Sequence, residues 1–411
     1  MLLNTLTCLP KNLEAIYDQI LDRMDGREMV PAKTILQWLV LGMRALTIGE
    51  LSIAVMFDVT RGKFDSSLAL VHPDVVIQVC SSLVTKADDN TVQLAHASVK
   101  EYFLSKPRFK NQIALFDTET GHALIAHCCM RYILDWLWHD SIGYLDWPLL
   151  DYSAEFWPHH YKLSNRNSIL QNIAMSFFQT EPGIWYRWAV LHQAYFLELR
   201  VPIHFAAHYG LEDVLEKLII NNTCFTECNK ALSFAATNGH IGVVKLLLKE
   251  GIDLNAQGGE YGTALQAASY TGHYEVVILL MQKGADASAQ GGQYGNALQA
   301  ASFGGHRDIV TLLLDKAVDV NAQGGFFGNA LQAASCNGNV EIATLLLDKG
   351  ADVNAQGGEF GNALHAASSN GHSAVVLSLL KKGADVHKVE NITMHCRLDQ
   401  FGDIQTLLPF C

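Results

Sequence analysis

The sequence predicts a mostly α-helical protein whose second half is a solenoid of stacked helix pairs joined by β-hairpin loops. The stretch NAQGGEYGTALQAASYTGH from Asn255 recurs in nearly the same form from Ser288, Asn321 and Asn354, a step of 33 residues. Such a period is typical of stacked helical units. Each copy holds a short Ala-Leu-x-Ala-Ala run and an apolar, leucine-rich run, separated by glycine. No copy can bury its own apolar face, so the copies must stack.

Each copy is expected to start its first helix at a capping residue and to end it at glycine. A Thr or Asn oxygen can accept an orphan backbone N–H, and glycine adopts a left-handed turn at low cost. The predicted caps are Thr263, Asn296, Asn329 and Asn362, and the predicted stops are Gly272, Gly305, Gly338 and Gly371. The second helix is expected to end at Gly284, Gly350 and Gly383, with Ala317 at the equivalent place of one copy.

This pattern resembles the ankyrin repeat, in the residues GADVNAQ and ALHAASSNGH and in the paired leucines of the outer helix. It departs from the family where Thr-Pro-Leu-His is usual, because here the tetrad reads Thr-Ala-Leu-Gln, Asn-Ala-Leu-Gln or Asn-Ala-Leu-His. The usual hairpin glycine is also displaced by one position. The resemblance implies about seven repeats over residues 200–411, the first and last degenerate, with a concave face that binds proteins.

The hairpins carry two neighbouring positions of different character. The second position is aromatic in every copy and is predicted to hold structural rings packed between adjacent hairpins: Tyr261, Tyr294, Phe327 and Phe360. The first position varies and is polar in three of four copies, so it is expected to face solvent: Glu260, Gln293, Phe326 and Glu359. A phenylalanine there has no stacking reason, which makes Phe326 the leading candidate for partner contact. Tyr270 and Phe303 are candidates to extend the same patch.

Residues 1–110 contain no repeat and are predicted to form several helices and one β-hairpin, which is a small winged-helix domain. Helices are expected over LPKNLEAIYDQILDRM, over Ala32–Leu41, from Leu46, over HPDVVIQVCSSLV and over HASVKEYFLS. Thr47 and Glu50 have the spacing of a capping box. The runs Leu83–Lys86 and Thr91–Leu94 flank a polar turn and predict the hairpin.

The same segment is similar to a known one, in LPKNLEAIYDQIL, ILQWLVLGMRALTIGELSIAV and LAHASVKEYFLS. It resembles the winged helix, named after GPI inositol-deacylase, that follows the NTPase module of fungal NACHT–ankyrin (STAND-type) signalling proteins. The sequence contains no G-x-x-x-x-G-K-[ST] phosphate-binding loop. The resemblance therefore implies the rear part of such a protein without its NTPase core, and we expect no nucleotide to bind.

Residues 111–199 are predicted to be a helical, aromatic-rich connector. Helices are expected over HALIAHCCMRYILDWLW, PLLDYSAEFWPHHYKL and PGIWYRWAVLHQAYFLEL. Six of the seven tryptophans fall in this segment. Such a density favours a packed junction between domains over a ligand pocket.

The sequence contains no motif that predicts a catalytic site or a metal site. His159 and His160 point about 100° apart on a helix and belong to no H-E-x-x-H, so no metal site is expected. No Gly-x-Ser-x-Gly elbow surrounds a serine. The histidines at positions 273, 306 and 372 recur with the repeat, which favours a structural role in helix-start hydrogen bonding. No catalytic residue, cofactor or metal is predicted.

Charge and composition limit the partners. The net charge is −12 and no segment is basic, which argues against nucleic acid as a partner. No apolar run approaches a membrane span, and nine scattered cysteines are typical of a reducing compartment, so we expect a cytoplasmic protein, with the nucleus left open.

Three functional hypotheses follow. The first is a non-catalytic scaffold or adaptor that binds protein partners through the concave face of the repeats. The second is the regulatory and sensor half of a truncated NACHT–ankyrin receptor. The third is a winged-helix DNA-binding protein, which the balanced charge disfavours.

Overall fold

The computed structural model describes residues 11–24, 26–105, 117–138, 147–178, 201–221, 225–259 and 261–388. Over these residues the chain is mostly helical with a few short strands, as predicted. It divides into two compact units, Met1–Leu197 and Glu198–Cys411. The first unit contains both the predicted winged-helix domain and the predicted connector. The boundary between those two, at residue 110, stays a prediction.

The front of the first unit combines short helices with two small antiparallel sheets. Its helices are α1 Lys11–Asp22, α2 Gly26–Leu41, α3 Ile48–Val55, α4 Val75–Cys80 and α5 Ala97–Ser105, and its strands are β1 Leu46–Thr47, β2 Phe57–Asp58, β3 Lys63–Phe64, β4 Val84–Lys86 and β5 Thr91–Leu94. The sheets have the strand orders β1-β5-β4 and β2-β3.

The predicted hairpin is formed by β4 and β5, which pair with Thr85 opposite Gln93. The predicted capping box is also present. Thr47 accepts the N–H of Glu50, and the Glu50 carboxylate accepts the N–H of Thr47 at 2.7 Å. Arg44 binds the buried Glu50 at 2.6 Å, so the charge of that carboxylate is compensated.

Three details differ from the sequence predictions. Helix α2 begins at Gly26 rather than at Ala32, so it continues through Pro31. Pro31 lies in the second turn, where its missing N–H removes one helical hydrogen bond. The segment Leu46–Thr47, expected to open a helix, is a strand that pairs with Thr91 and Val92. The β2–β3 hairpin has no counterpart among the predicted elements.

The rear of the first unit packs three longer helices around aromatic side chains. These helices are α6 Thr118–Trp138, α7 Leu150–Leu163 and α8 Ser168–Phe178. The fully buried rings of Tyr152, Trp157 and Tyr161 all lie on α7. Helices α6 and α7 match the predictions, α8 was not predicted, and the helix predicted over residues 182–199 lies outside the described residues.

The second unit is a series of helix pairs, six of them within the described residues. The pairs are α9 Pro202–Tyr209 with α10 Glu212–Asn221, α11 Phe225–Thr237 with α12 Ile241–Lys249, α13 Ala264–Thr271 with α14 Tyr274–Gln282, α15 Ala297–Gly304 with α16 Arg307–Asp315, α17 Ala330–Cys336 with α18 Val340–Asp348, and α19 Ala363–Ser369 with α20 Ser373–Lys381. The degenerate last repeat that the sequence predicts lies outside the described residues.

Neighbouring pairs bury each other's apolar surfaces. The inner helices α13, α15, α17 and α19 present alanines that are nearly or fully buried, so backbones can approach closely. The outer helices each bury one leucine completely, and these residues are Leu280, Leu313, Leu346 and Leu379. Each pair needs its neighbours for this burial, as the repeat pattern predicts.

Candidate functional site

The predicted site residues that the structure describes in the repeats lie on the hairpins, on the inner helices and in the glycine turns after those helices. Each inner helix begins at the predicted cap. Thr263, Asn296, Asn329 and Asn362 have extended backbones, and each side-chain oxygen accepts the backbone N–H three residues ahead. All four are almost fully buried. Buried capping groups of this kind fix the start of a helix and the direction of the hairpin before it.

A glutamine at the third helical position, which the sequence analysis did not single out, links each repeat to the next one. The Oε1 of Gln299 accepts the Asn296 N–H at 2.6 Å. Its Nε2 donates to the Ala322 oxygen at 3.0 Å and to the Gly328 oxygen at 2.8 Å, both in the following hairpin. Gln266 and Gln332 make equivalent bonds. Their recurrence at the repeat period was the signal that could have revealed them.

The last complete copy differs at this position. His365 replaces glutamine, and its Nδ1–H donates to the Phe360 oxygen within the same repeat at 2.7 Å. Among the described residues the glutamine bridge is therefore confined to Gln266, Gln299 and Gln332.

The predicted glycine stops are left-handed, with φ of +84°, +83°, +72° and +75° at Gly272, Gly305, Gly338 and Gly371. At Gly272 a Cβ would lie 2.3 Å from the His306 ring, so a side chain cannot be added without moving that ring. The Nε2–H of His306 donates to the Tyr270 oxygen of the preceding repeat at 2.8 Å.

The repeated histidines are therefore structural, but they do not bond at their own helix start as the sequence analysis expected. His273, like His306, donates to the last turn of the inner helix before it. In neither case does the ring cap its own outer helix. A ring one repeat away satisfies a carbonyl that the helix end leaves without a partner.

An aromatic ladder runs along the hairpin bases. Rings from the second hairpin position alternate with rings from the inner helices. The centroid distances are 4.8 Å for Tyr261–Tyr270, 4.6 Å for Tyr270–Tyr294, 5.4 Å for Tyr294–Phe303, 4.5 Å for Phe303–Phe327 and 6.5 Å for Phe327–Phe360. Most of these pairs are stacked, and Tyr294 and Phe327 are almost fully buried. Tyr270 and Phe303 are thus rungs of the ladder and only partly exposed.

Phe326 lies beside this ladder with 45% of its surface exposed. Its ring meets Phe327 edge-on at 5.1 Å and Phe360 edge-on at 6.1 Å. The expectation that no structural contact explains a phenylalanine at this position is therefore wrong, because two rings of the ladder pack against one side of Phe326. The exposed side remains available.

The first hairpin positions are linked by their backbones. The Phe326 N–H donates to the Gln293 oxygen at 2.8 Å, and the Glu359 N–H donates to the Phe326 oxygen at 2.9 Å. The side chains of Gln293 and Glu359 are exposed on either side of Phe326. Glu260 lies outside the described residues. Backbone pairing across the repeats holds these three side chains in a row.

Charge is segregated between the two sides of the repeats. Residues 251–273, 284–306, 317–339 and 350–372, which form the hairpins and inner helices, contain no lysine or arginine. The acidic residues in these segments are Asp253, Glu260, Asp286, Asp319, Asp352 and Glu359. The cations of these four repeats lie on the outer helices and the turns after them. Lys349 and Lys382, for example, pair with Asp315 and Asp348 of the preceding repeats. In these four repeats the hairpins and inner helices therefore carry only negative formal charge at neutral pH.

The histidine pair of the first unit does not assemble a metal site. His160 is fully buried, whereas His159 and the neighbouring acidic residues of α7 are exposed. Tyr152 accepts the Met43 N–H at 3.1 Å, and its hydroxyl is hydrogen-bonded to His160 Nε2 at 2.8 Å. The Nδ1 atoms of His160 and His122 are hydrogen-bonded to each other at 2.8 Å. Burial lowers the pKa of His160 to about 3, so the ring is neutral. Within the described ranges no group of three His, Cys, Asp or Glu side chains is placed to hold a metal ion.

Two family models match the chain. The model "Ankyrin repeats (3 copies)" matches residues 203–291, 253–324 and 297–390, and the model "GPI inositol-deacylase, winged helix domain" matches residues 17–115. A winged-helix domain precedes ankyrin repeats. Ankyrin repeats are protein-interaction modules, and proteins built from them are typically non-enzymatic.

One curated relative and one solved structure illustrate the similarity. The "Azaphilone pigments biosynthesis cluster protein L" of Monascus ruber is 31% identical over 286 residues. This match covers 60% of this chain and 60% of that protein, so the chain spans about 60% of the relative's length. The crystal structure of the human ASB11 ankyrin repeat domain is 28% identical with a TM-score of 0.39, and the match covers 45% of this chain and 85% of that one. In the part of the chain that the structure describes, no helix is long and apolar enough to cross a membrane.

Proposed function

We propose that this protein is a non-catalytic adaptor that binds protein partners through the hairpin and inner-helix face of its ankyrin repeats, with Phe326 as the central contact. The observation that carries the proposal is one exposed phenylalanine within four repeats whose hairpins and inner helices hold carboxylates and no lysine or arginine. Exposed aromatics on an extended binding face are frequent anchors of protein interfaces.

The charge of this face defines the partner. A basic segment is attracted to the acidic face, and an acidic segment is repelled. An apolar side chain of the partner can cover the exposed edge of Phe326, while Gln293 and Glu359 on either side supply polar contacts. The proposed partner is therefore a protein segment that carries Lys or Arg around an aliphatic or aromatic residue.

The first unit is proposed as a second docking module inside the cell. Asp88 and Asp89 lie exposed in the turn of the β4–β5 hairpin, where they would repel phosphate, so DNA is disfavoured as its ligand. The cysteines of the described part are free thiols at positions 80, 128, 129, 228 and 336, which suits a reducing compartment. Neither a nucleotide nor a cofactor enters this proposal.

The test is selection from a displayed random peptide library on the purified full-length chain. We expect the enriched peptides to carry net positive charge and one large apolar residue, and their affinity to fall as salt is raised. Phe326→Ala should weaken the best peptide by roughly 30-fold, the effect of truncating an interface anchor. The matched control is Tyr274→Ala, because Tyr274 is exposed to 43% but lies on an outer helix. Enrichment of neutral or acidic peptides, or equal losses in both variants, would contradict the proposal.

A second candidate function is the regulatory half of a NACHT–ankyrin signalling receptor. The observation that favours it is the winged-helix match over residues 17–115, because the resemblance places this type of segment next to an NTPase module. Mapping of the full transcript tests it. A phosphate-binding loop encoded in the same message would support the receptor, and a message that encodes these 411 residues alone would support the adaptor.

A further inference from the structure

A cavity of about 390 Å³ is lined by residues of the first unit. Its walls come from the turn between β2 and β3, from one side of α6 and from α8. Sites for small molecules in proteins commonly have this size and combine apolar walls with a few polar groups. The cavity is independent of the function proposed for the repeats.

The charged groups of the cavity wall are all basic. Arg61 and Arg131 line it, and no aspartate or glutamate does. Both arginines pair with carboxylates outside the lining. Arg61 lies 3.4 Å from Asp58 and 3.2 Å from Asp65, and the Arg131 Nε lies 3.1 Å from Asp135. Such partly exposed ion pairs are weak, so either guanidinium can share its remaining N–H groups with an anion at little cost.

Two neutral polar groups add to the basic wall, the amide of Asn167 and the His127 ring. Thr60 and Thr120 also line the cavity, but their hydroxyls donate to Asp58 and Asp117. The His127 ring is held by an edge-on contact with Phe57 at 5.0 Å. Gly62, at φ of +63°, brings the β2–β3 turn close to it, because a Cβ there would lie 3.2 Å from two atoms of the ring. The polar side of the cavity is thus built from three elements that pack against one another.

The rest of the wall is aliphatic. Leu124, Leu134, Leu170 and Ile173 line the interior. Two further aliphatic side chains of the lining are exposed, Ile169 to 61% and Val59 to 48% of their surfaces. An inorganic anion would leave this apolar surface in water, whereas a ligand with a hydrocarbon body would cover it.

We propose that this cavity binds a small amphipathic carboxylic acid. The carboxylate lies between Arg61 and Arg131, which suit its planar geometry. The hydrocarbon body packs along α6 and α8 and covers Ile169 and Val59. The absence of a carboxylate from the lining favours an anion over a cation, and the aliphatic wall favours an amphipathic anion over phosphate.

The experiment titrates the full-length protein with decanoate, with decanol and with inorganic phosphate, followed by calorimetry and by saturation-transfer NMR. We expect saturable decanoate binding, with decanol at least about tenfold weaker because it lacks the charge-assisted hydrogen bonds. Phosphate is expected to compete poorly. Equal affinity for decanol, full competition by phosphate at matched concentration, or no saturable decanoate binding overturns the proposal.

Two variants locate the binding. Arg131→Gln removes one guanidinium and should weaken decanoate but leave decanol unchanged. Ser176→Trp places a ring at an exposed residue of the lining and should weaken both. The matched control is Arg307→Gln, at the start of outer helix α16 in the repeat unit, which should leave decanoate binding unchanged. Circular dichroism of each variant shows whether it is folded. Decanoate binding unaltered in both cavity variants, or weakened equally in the control, places the ligand elsewhere and overturns the proposal.

Discussion

Two adjacent phenylalanines illustrate how the repeat separates stability from recognition at the scale of single residues. Phe327 is 4% exposed and stacks between rings of neighbouring repeats, whereas Phe326 is 45% exposed and touches the ladder only by its edge. The backbone alternates their side chains, so one turns toward the ladder and its neighbour outward. The residue at the first hairpin position can therefore change without loss of the ring stacking at the second position.

Phe327→Ala should destabilise the protein much more than Phe326→Ala. The buried ring leaves a cavity when truncated, at a cost of about 3 kcal/mol or more, whereas the edge contacts of Phe326 are worth about 1 kcal/mol. Urea unfolding followed by circular dichroism measures both variants. If Phe326→Ala is the more destabilising change, the roles assigned to the two rings are reversed.

Gln299 should contribute to stability through its bridge between repeats. Gln299→Met keeps the volume but removes partners from the Asn296 N–H and from the carbonyl oxygens of Ala322 and Gly328. The Gly328 oxygen still accepts the Gly324 N–H at 2.7 Å, but the buried Asn296 N–H loses its acceptor. These losses should lower the free energy of unfolding by about 2 kcal/mol. The control is Gln293→Met, whose side chain is exposed. Equal unfolding midpoints for the two variants would show that the bridge is not stabilising.

At the scale of elements, glycine at the end of the outer helix sets the turn into the next hairpin. Gly284, Gly350 and Gly383 have φ near +90°, and a Cβ on any of them would meet no atom within 4 Å. Ala317 occupies the same place with φ of +59°. A left-handed alanine costs about 1–2 kcal/mol, so this one repeat carries backbone strain.

Ala317→Gly should stabilise the protein. Relief of the left-handed strain exceeds the entropy that glycine adds to the unfolded chain, which leaves a net gain of about 0.5 kcal/mol. The reverse change, Gly350→Ala, should cost a similar amount, because it introduces the strain without a clash. Thermal unfolding by circular dichroism compares the two variants with the parent, and a lower melting temperature for Ala317→Gly would contradict the argument.

The sequence predicted elements well where the signal was local or periodic. Helix caps, glycine stops and the β4–β5 hairpin depend on residues within a few positions of each other, and the repeat period shows which helices stack. The strand at Leu46–Thr47 was missed because its pairing with Thr91 and Val92 is a long-range contact. The roles of Gln299 and His306 were missed or misassigned for the same reason, since their partners lie one repeat away.

At the scale of the whole molecule, the two units differ in how they are held together. The first has a core of aromatic side chains with a buried polar chain through Tyr152 and His160, and it contains all seven tryptophans of the protein. The second repeats the same neighbour contacts along its length and has no tryptophan. Tryptophan fluorescence therefore reports on the first unit alone.

The first unit should lose stability as the pH falls below about 6.5. Burial lowers the pKa of His160 to about 3. Below about pH 6.5 this side chain is therefore protonated in the unfolded chain but stays neutral in the folded unit. The free energy of unfolding has its full value above the pKa of histidine in the unfolded chain, about 6.5. It falls by about 2 kcal/mol as the pH is lowered to about 5. Urea unfolding followed by tryptophan fluorescence measures this dependence. His160→Gln, which cannot titrate, should reduce the slope but not remove it, because burial also lowers the pKa of His122, His127 and His159. An unchanged slope in that variant would assign the effect to those other groups.

The ankyrin unit should fold without the first unit. Its bridges, from the Gln299 amide to the next hairpin and from the His306 ring to the preceding helix, join only adjacent repeats, and repeat proteins are stabilised mainly by such neighbour contacts. A fragment of residues 198–411 should give the circular dichroism of a helical protein and unfold cooperatively on heating. A longer fragment of residues 111–411 is the control, because the connector can cap the first helix pair. If the shorter fragment stays unfolded while the longer one folds, the connector is part of the repeat unit. If both stay unfolded while the full chain folds, neighbour contacts do not suffice and the prediction is wrong.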